Sequence, residues 1–373
     1  MTASSQARRP PPPVPVTVVT GFLGAGKTSL LNRLLRDPAL AKSVVLINEF
    51  GEIGLDHLFV EKIDGDMVMM ASGCLCCTIR GDLIDSLEDL LRRRDNGRMR
   101  DFDRVIIETT GLADPAPVLH TIMSHPYLLL RFRVDGVVTV VDAVNGAATL
   151  DAFPEAVKQA AVADRLVLTK TDLIGSEPQR RELARLQDRL ARLNPTARLL
   201  DHAENWDAAH LLDAGLYNPA TKTPDVARWL NAEAFEPDHG HHHDHRHDES
   251  IQSFCLVSEA PLALSACDLF LEMLRAAHGP NLLRVKGVIA LADDARRPLV
   301  IHGVQHVFHP PVRLDGWPDS DHRTRIVFIV KDLDPPFIEG LYAAFSGEVR
   351  LDAPDAQALA ANPLNPRPGG LLG

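Results

Sequence analysis

The chain has 373 residues, 45% of them hydrophobic and 24% charged, with a formal net charge of −11. This is the make-up of a folded globular protein long enough for two or three domains. It leaves no apolar run of membrane-spanning length and argues against a nucleic-acid partner held by bulk charge.

Residues 1–13 carry Arg8 and Arg9 and then a proline run instead of an apolar core. They read as a disordered or polyproline-II lead-in, not a signal peptide. Next comes Val14-Pro15-Val16-Thr17-Val18-Val19-Thr20, short, β-branched and strand-like. It runs into Gly21-Phe22-Leu23-Gly24-Ala25-Gly26-Lys27-Thr28, which fits the phosphate-binding pattern G-x-x-x-x-G-K-[ST]. Residues 29–36 then show apolar residues at helical spacing. In such a strand, glycine turn and helix, the main-chain N–H groups curl around phosphate oxygens and the helix N-terminus adds its positive end. The nucleotide candidates are therefore Gly21, Gly24, Ala25, Gly26, Lys27, Thr28 and Ser29. Lys27 is expected to reach the β- and γ-phosphates, and Thr28 to ligate Mg²⁺.

Residues 43–47 form a buried-strand candidate. An acidic, glycine-broken loop follows over residues 48–56, where Glu49, Glu52 and Asp56 are the carboxylates able to face a cation. A loop after the second strand is where P-loop GTPases place a switch. Residues 67–71 read as a strand delivering Cys74, Cys76 and Cys77, ahead of a polar helix over 80–94. Five cysteines in the whole chain are an odd number, and three of them so close make no disulfide framework. They suit a reducing cytoplasm and thiols that bind one metal ion, Zn²⁺, Co²⁺ or Cu⁺ by softness. Buried structural cysteines or a redox switch are the competing readings. Glu52 or a histidine such as His125 is the candidate fourth ligand.

Residues 104–111 form a strand ending in Glu108-Thr109-Thr110-Gly111. Glu108 is placed to hold the Mg²⁺ shell and the Gly111 amide to sense a γ-phosphate, with residues 111–115 as a second switch. Further strands are expected at 136–142 and from 164. The second ends in Thr169-Lys170-Thr171-Asp172, which resembles the guanine-reading N-K-x-D box with Thr for Asn. A carboxylate at Asp172 can accept both the N1–H and N2–H of guanine, and Lys170 can pack along the ring. A helix at 178–193 and a strand at 197–200 complete an alternating order that implies α/β architecture: a mostly parallel sheet with helices on both faces.

That domain is expected over 14–230, followed by a linker at 231–249. Six of the 16 histidines lie in the linker among acidic residues, a composition that suits weak metal buffering in a disordered segment. Residues 250–350 read as a smaller α+β domain: strands at 250–259, 283–292, 297–303, 305–314 and 324–331 in hairpin order, and helices at 264–277 and 335–345. Cys255 and Cys267 fall on apolar elements and read as core. His302, His306 and His309 have strand spacings, with a second metal site as the lesser reading. Residues 351–373 read as a mobile tail.

Together these motifs resemble the CobW-type family of metal-associated P-loop GTPases, relatives of the nickel-delivery GTPases of urease and hydrogenase maturation. The resemblance covers nearly all of residues 14–350. It implies a slow GTPase, with Lys27, Glu108 and Glu49 in catalytic roles and Lys170, Asp172 and Gly111 at the nucleotide. It further implies Thr28 and Glu108 at Mg²⁺, and Cys74, Cys76, Cys77 and Glu52 at a transition metal, zinc ahead of cobalt. The implied cofactors are GTP, Mg²⁺ and Zn²⁺ or Co²⁺. The implied partner is a client metalloprotein or apo-enzyme in the cytoplasm, with neither nucleic acid nor membrane, and a homodimer is allowed. A metal-sensing regulator and a redox-switched GTPase are the alternatives.

Overall fold

In a computed structural model of the chain, residues 12–47, 67–69, 78–204, 206–212 and 250–347 are described. Glu49, Glu52, Asp56, Cys74, Cys76, Cys77 and the histidine-rich stretch lie outside them.

Strand β1 (Val14–Gly21) is buried along nearly its whole length. So are β2 (Ser43–Ile47), β4 (Arg104–Glu108), β5 (Phe132–Asp142) and β6 (Arg165–Thr169). Continuous Val/Ile/Leu runs are what a sheet covered on both faces demands. With β3 (Met67–Met69) and β7 (Arg198–Asp201) they form a seven-stranded sheet in the order β3-β2-β4-β1-β5-β6-β7, every pairing parallel.

Successive side chains along each strand point to opposite faces, and the two faces fill separately. On one face Val19, Ile106 and Val167 pack against Leu30, Leu31 and Leu34 of α1 (Lys27–Leu35), with Leu211 of α8 (Ala208–Leu211). On the other face Val18, Ile107 and Leu168 meet α2 (Thr78–Asp95), α3 (Ala116–Ser124), α5 (Gly146–Ala152), α6 (Pro154–Ala161) and α7 (Glu177–Leu193). The short α4 (Pro126–Arg131) leads into β5. From β1 the chain crosses to one side, toward β2, and from β4 to the other, toward β5. This reversal opens a crevice at the carboxyl ends of the central strands, the usual ligand position in such sheets.

The C-terminal domain is a separate antiparallel sheet. Its strands are β8 (Ile251–Ser258), β9 (Leu282–Ile289), β10 (Leu299–Val304), β11 (Val307–Phe308) and β13 (Thr324–Lys331), ordered β11-β10-β9-β13-β8, with β12 (Val312–Arg313) on β10. Hairpin order holds for β9, β10 and β11 only. β8 pairs with β13, because α9 (Leu264–His278) carries the chain away from it and Phe254 stacks on Phe328, ring centroids 5.2 Å apart. The expected strand over 305–314 is two short pieces. Pro310 and Pro311 have no N–H to donate to a ladder. Helix α10 (Pro335–Ser346) lies beside α9, with the Phe270 and Tyr342 rings edge to face. Cys267 is fully buried and burial pushes its thiol up to about 12; Cys255 is pushed up to about 11 for the same reason. Cys267 is a core thiol, as expected, whereas Cys255 on β8 is only half-buried and belongs to no core cluster.

The two domains meet across buried charge. Asp164, just ahead of β6, pairs with Arg284 and with Lys286 (2.8 Å), both from β9. Arg284 also donates to the Val162 carbonyl at 2.8 Å, and Asp164 accepts the Val137 N–H at 2.9 Å. Three charged side chains, one carbonyl and one main-chain N–H thus partner one another where any one charge alone would be costly.

Candidate nucleotide site

Residues 21–28 form the turn between β1 and α1, as the motif requires. Gly21 has φ 140°, and a Cβ there would lie 2.4 Å from the Val140 carbonyl oxygen, so only glycine lets the turn start beside β5. Gly26 caps α1 in a left-handed conformation with no side chain bonded to the helix start, so the first N–H groups of the helix have no capping side-chain acceptor. Lys27 Nζ donates to the carbonyls of Gly21 (3.0 Å) and Phe22 (3.3 Å), so its ammonium arches over the loop that precedes it. Thr28 and Ser29 follow on the first turn of α1, Ser29 exposed.

Three other strand ends reach the same edge. Glu108 closes β4 in register with Val19 of β1 and Ile47 of β2, and is 8% exposed. Thr109 beside it hydrogen-bonds Thr20 hydroxyl to hydroxyl at 2.7 Å. The turn that follows packs onto the P-loop itself: a Cβ on Gly111 would stand 2.6 Å from the main-chain N of Leu23. Gln159 of α6 fixes this turn by donating to the Gly111 (3.2 Å) and Ala113 (3.0 Å) carbonyls.

At the end of β6, the hydroxyl of Thr169 donates to the Ala25 carbonyl at 2.5 Å and shares itself with Val141 at 3.3 Å. Lys170 takes a left-handed φ of 60° and sends Nζ to Asp142 Oδ2 at 2.6 Å. Burial alone would raise the Asp142 carboxyl, but Lys170, Asn145 and the Val144 N–H hold it below the usual carboxylate range. Asp172 sits in the short turn Thr171–Leu173, exposed, and Thr171 anchors that turn to Asp201 at 2.6 Å. The loop after β7 closes this side. Arg33 of α1 donates to the carbonyls of His202, Glu204 (2.8 Å) and Trp206 (3.0 Å) and lies 3.9 Å over the Trp206 ring.

Between the P-loop, the end of β5 and Lys170 is a cavity of about 290 Å³, lined mainly by apolar side chains. The edge therefore combines a phosphate-cradling turn and an ammonium with a buried strand-end carboxylate and an exposed one. It gathers Lys27, Glu108, Gly111, Lys170 and Asp172. Thr28 and Glu108 present oxygen donors, the type that suits Mg²⁺.

His125 joins α3 to α4 just before β5 begins, at the edge of the sheet opposite the P-loop. It is set away from the strand ends that carry the candidate nucleotide residues. The His302 and His309 rings lie 4.8 Å apart, whereas His306 turns to His120 at 4.7 Å. Among the described residues no group of three or more His, Cys, Asp or Glu is arranged to hold a metal ion. No helix among them is long and apolar enough to cross a membrane. Sequence reasoning missed Gln159, Asp142 and Arg33. Asp142 carried a signal, since Asp-x-x-Asn after a strand is a turn former. Gln159 and Arg33 sit in helices and carried none.

Residues 15–201 match the family model "CobW/HypB/UreG, nucleotide-binding domain", and residues 251–345 match "Cobalamin synthesis protein cobW C-terminal domain". The chain is 34% identical to zinc chaperone YjiA of Escherichia coli, over 90% of this chain and 98% of that one. It is 32% identical to zinc chaperone CobW of Pseudomonas aeruginosa, over 86% and 88%. The crystal structure of Zn(II)-bound YjiA GTPase from E. coli superposes with a TM-score of 0.66 at 28% identity, covering 90% of this chain and 99% of that one.

Proposed function

The chain belongs to the CobW/HypB/UreG family of nucleotide-binding proteins, and we propose that it is a GTP-driven metallochaperone that carries zinc to a client protein. It is a metal-binding GTPase. The observation that carries this reading is the convergence of Lys27, Glu108, Gly111 and Thr169 on one edge of a parallel sheet, in a chain whose full-length relatives are named zinc chaperones.

The roles follow from chemistry. The residue 21–28 turn and Lys27 bind and neutralise the phosphates. Thr28 and Glu108 would hold Mg²⁺, which supplies charge neutralisation at the phosphoryl group, with Glu49, two residues past β2 in the sequence, as a further catalytic acid. Asp172 reads guanine and Lys170 lines the ring. Cys74, Cys76 and Cys77, with Glu52, form the cargo site for zinc, with cobalt as the second choice. GTP orders the loops at 48–56 and 111–115 and tightens the thiolate grip, and hydrolysis relaxes it. Only a difference in metal affinity between the GTP and GDP states can drive delivery. The client is an apo-metalloprotein met in the cytoplasm, and a homodimer is compatible with this scheme. We draw the GTPase domain at 14–230 and the C-terminal domain at 250–350, joined through the histidine-rich 231–249.

The test is a zinc competition titration of the full chain with a GTP analogue and with GDP, beside a Cys74/Cys76/Cys77→Ser variant. Tighter zinc with the analogue, lost in the variant, is expected. Equal affinity in both nucleotide states would sink the coupling.

A further inference from the structure

The turn that abuts the P-loop at Gly111 is held from two domains. Gln159 grips its first part from within the GTPase domain. The other grip comes from the C-terminal domain, where Gln305 Nε2 donates to Asp114 Oδ2 at 2.8 Å. The second oxygen of the same carboxylate, Oδ1, accepts the Ala116 N–H at 2.9 Å and so starts α3. One side chain therefore links the end of the turn, the first turn of α3 and the neighbouring domain.

The C-terminal side of this link is built to stay put. Gln305 lies between β10 and β11 with a left-handed φ of 53°, a conformation that glutamine adopts rarely and at a cost. His306 beside it packs its ring against His120 of α3. Behind it, Gly279 leaves no space: a Cβ there would lie 2.7 Å from His306 Cβ. A strained, backed tip whose two residues both reach the segment after Glu108 is more than incidental packing.

We infer that Gln305 is a positioning residue for nucleotide hydrolysis, through which the C-terminal domain sets the placement of residues 111–115. This rests on the reading of that turn as the γ-phosphate sensor. Coupling of this kind is reciprocal in binding free energy. A nucleotide that moves Asp114 must also alter how the C-terminal domain is held, which gives that domain a way to report the nucleotide state to a partner.

The experiment measures kcat and KM for GTP, and thermal stability, on the full chain and three variants. Gln305→Asn shortens the reach while favouring the left-handed backbone, so the fold is kept. Gln305→Glu sets a carboxylate against Asp114. Gln305→Glu combined with Asp114→Asn exchanges donor and acceptor and restores the bond. The expected result is a kcat about fivefold lower in Gln305→Asn, the scale of a modest site-to-site coupling. KM should stay within about twofold, as for an interaction that acts on the chemical step. The loss should be larger in Gln305→Glu, with recovery in the exchanged pair. Unchanged kcat in both single variants, or no recovery in the pair, overturns the inference while leaving the GTPase reading in place. A wild-type chain that hydrolyses no GTP removes that reading and the inference with it.

Discussion

The hydroxyl of Thr169 donates to the main-chain carbonyl of Ala25 at 2.5 Å, across a sequence separation of 144 residues. It stitches the end of β6 to the P-loop turn. Thr169→Val keeps the shape and removes the donor. GTP affinity, measured by titration with a non-hydrolysable analogue, is expected to fall about tenfold, the worth of roughly one hydrogen bond in a buried setting. The drop should appear for GDP as well, since both nucleotides need the turn.

Gly111 has no space for a methyl group: a Cβ would meet the N and Cδ2 of Leu23 at 2.6 Å. The nearest obstacle includes P-loop backbone, which cannot swing aside. Gly111→Ala should push the turn off the P-loop. We expect kcat to fall at least tenfold, roughly the cost of losing one preorganised donor at a transition state, while GDP affinity changes little. Single-turnover hydrolysis beside GDP titration checks this.

Asp172 is exposed in its turn and takes no part in the half-buried ion pair of Lys170 and Asp142. Its substitution should therefore cost recognition and not stability. Asp172→Ala is expected to weaken GTP binding by about tenfold to a hundredfold, the range for hydrogen bonds to a charged group. ATP binding should be unaffected. Competition between the two nucleotides, read with the melting temperature, decides it.

Acid should destabilise the fold through His309, which lines a small cavity at the domain contact together with Val137, Asp164 and Arg284. Burial and then the Arg284 guanidinium push its imidazolium down to about 4 from an ordinary 6.5, with Asp164 pulling the other way. Between those values the unfolded chain binds the proton and the folded chain does not. The stabilisation is thus fully present above pH 6.5 and is lost as pH falls through 4. Its size is roughly 3 kcal/mol. His309→Gln should flatten that part of the stability–pH curve, measured by denaturant unfolding at steps between pH 7 and 4.

Much of the fold is legible in the chain. Residues 14–20, 104–108 and 136–142 announce buried parallel strands by unbroken β-branched runs, and the residue 21–28 motif places its own turn between a strand and a helix. The C-terminal sheet is less legible. Its strands can be listed, yet the partnership of β8 with β13 depends on where α9 carries the chain. Pro310 and Pro311 split the strand expected over 305–314 into two short pieces, because neither has an N–H for the ladder.

Thr169 shows the boundary at the site. Read as a departure from Asn, it promises one loop-bracing contact fewer. In three dimensions its hydroxyl supplies that brace, because β6 and the P-loop approach closely enough for a short side chain to span them.

By itself the sequence determined the chemistry on offer: a phosphate-cradling turn with Lys27, a strand-end acid at Glu108, an acid at Asp172 that we propose reads the base, and a thiol cluster at residues 74–77. Each is a local pattern whose spacing carries its own geometry. Only the tertiary structure decided that Gln305 meets Asp114 across 191 residues and that Asp164 is neutralised by Arg284 and Lys286 of another domain. Such contacts exist only once two separately folded sheets dock, and no local period or motif records which of many exposed polar side chains the docking will bring together.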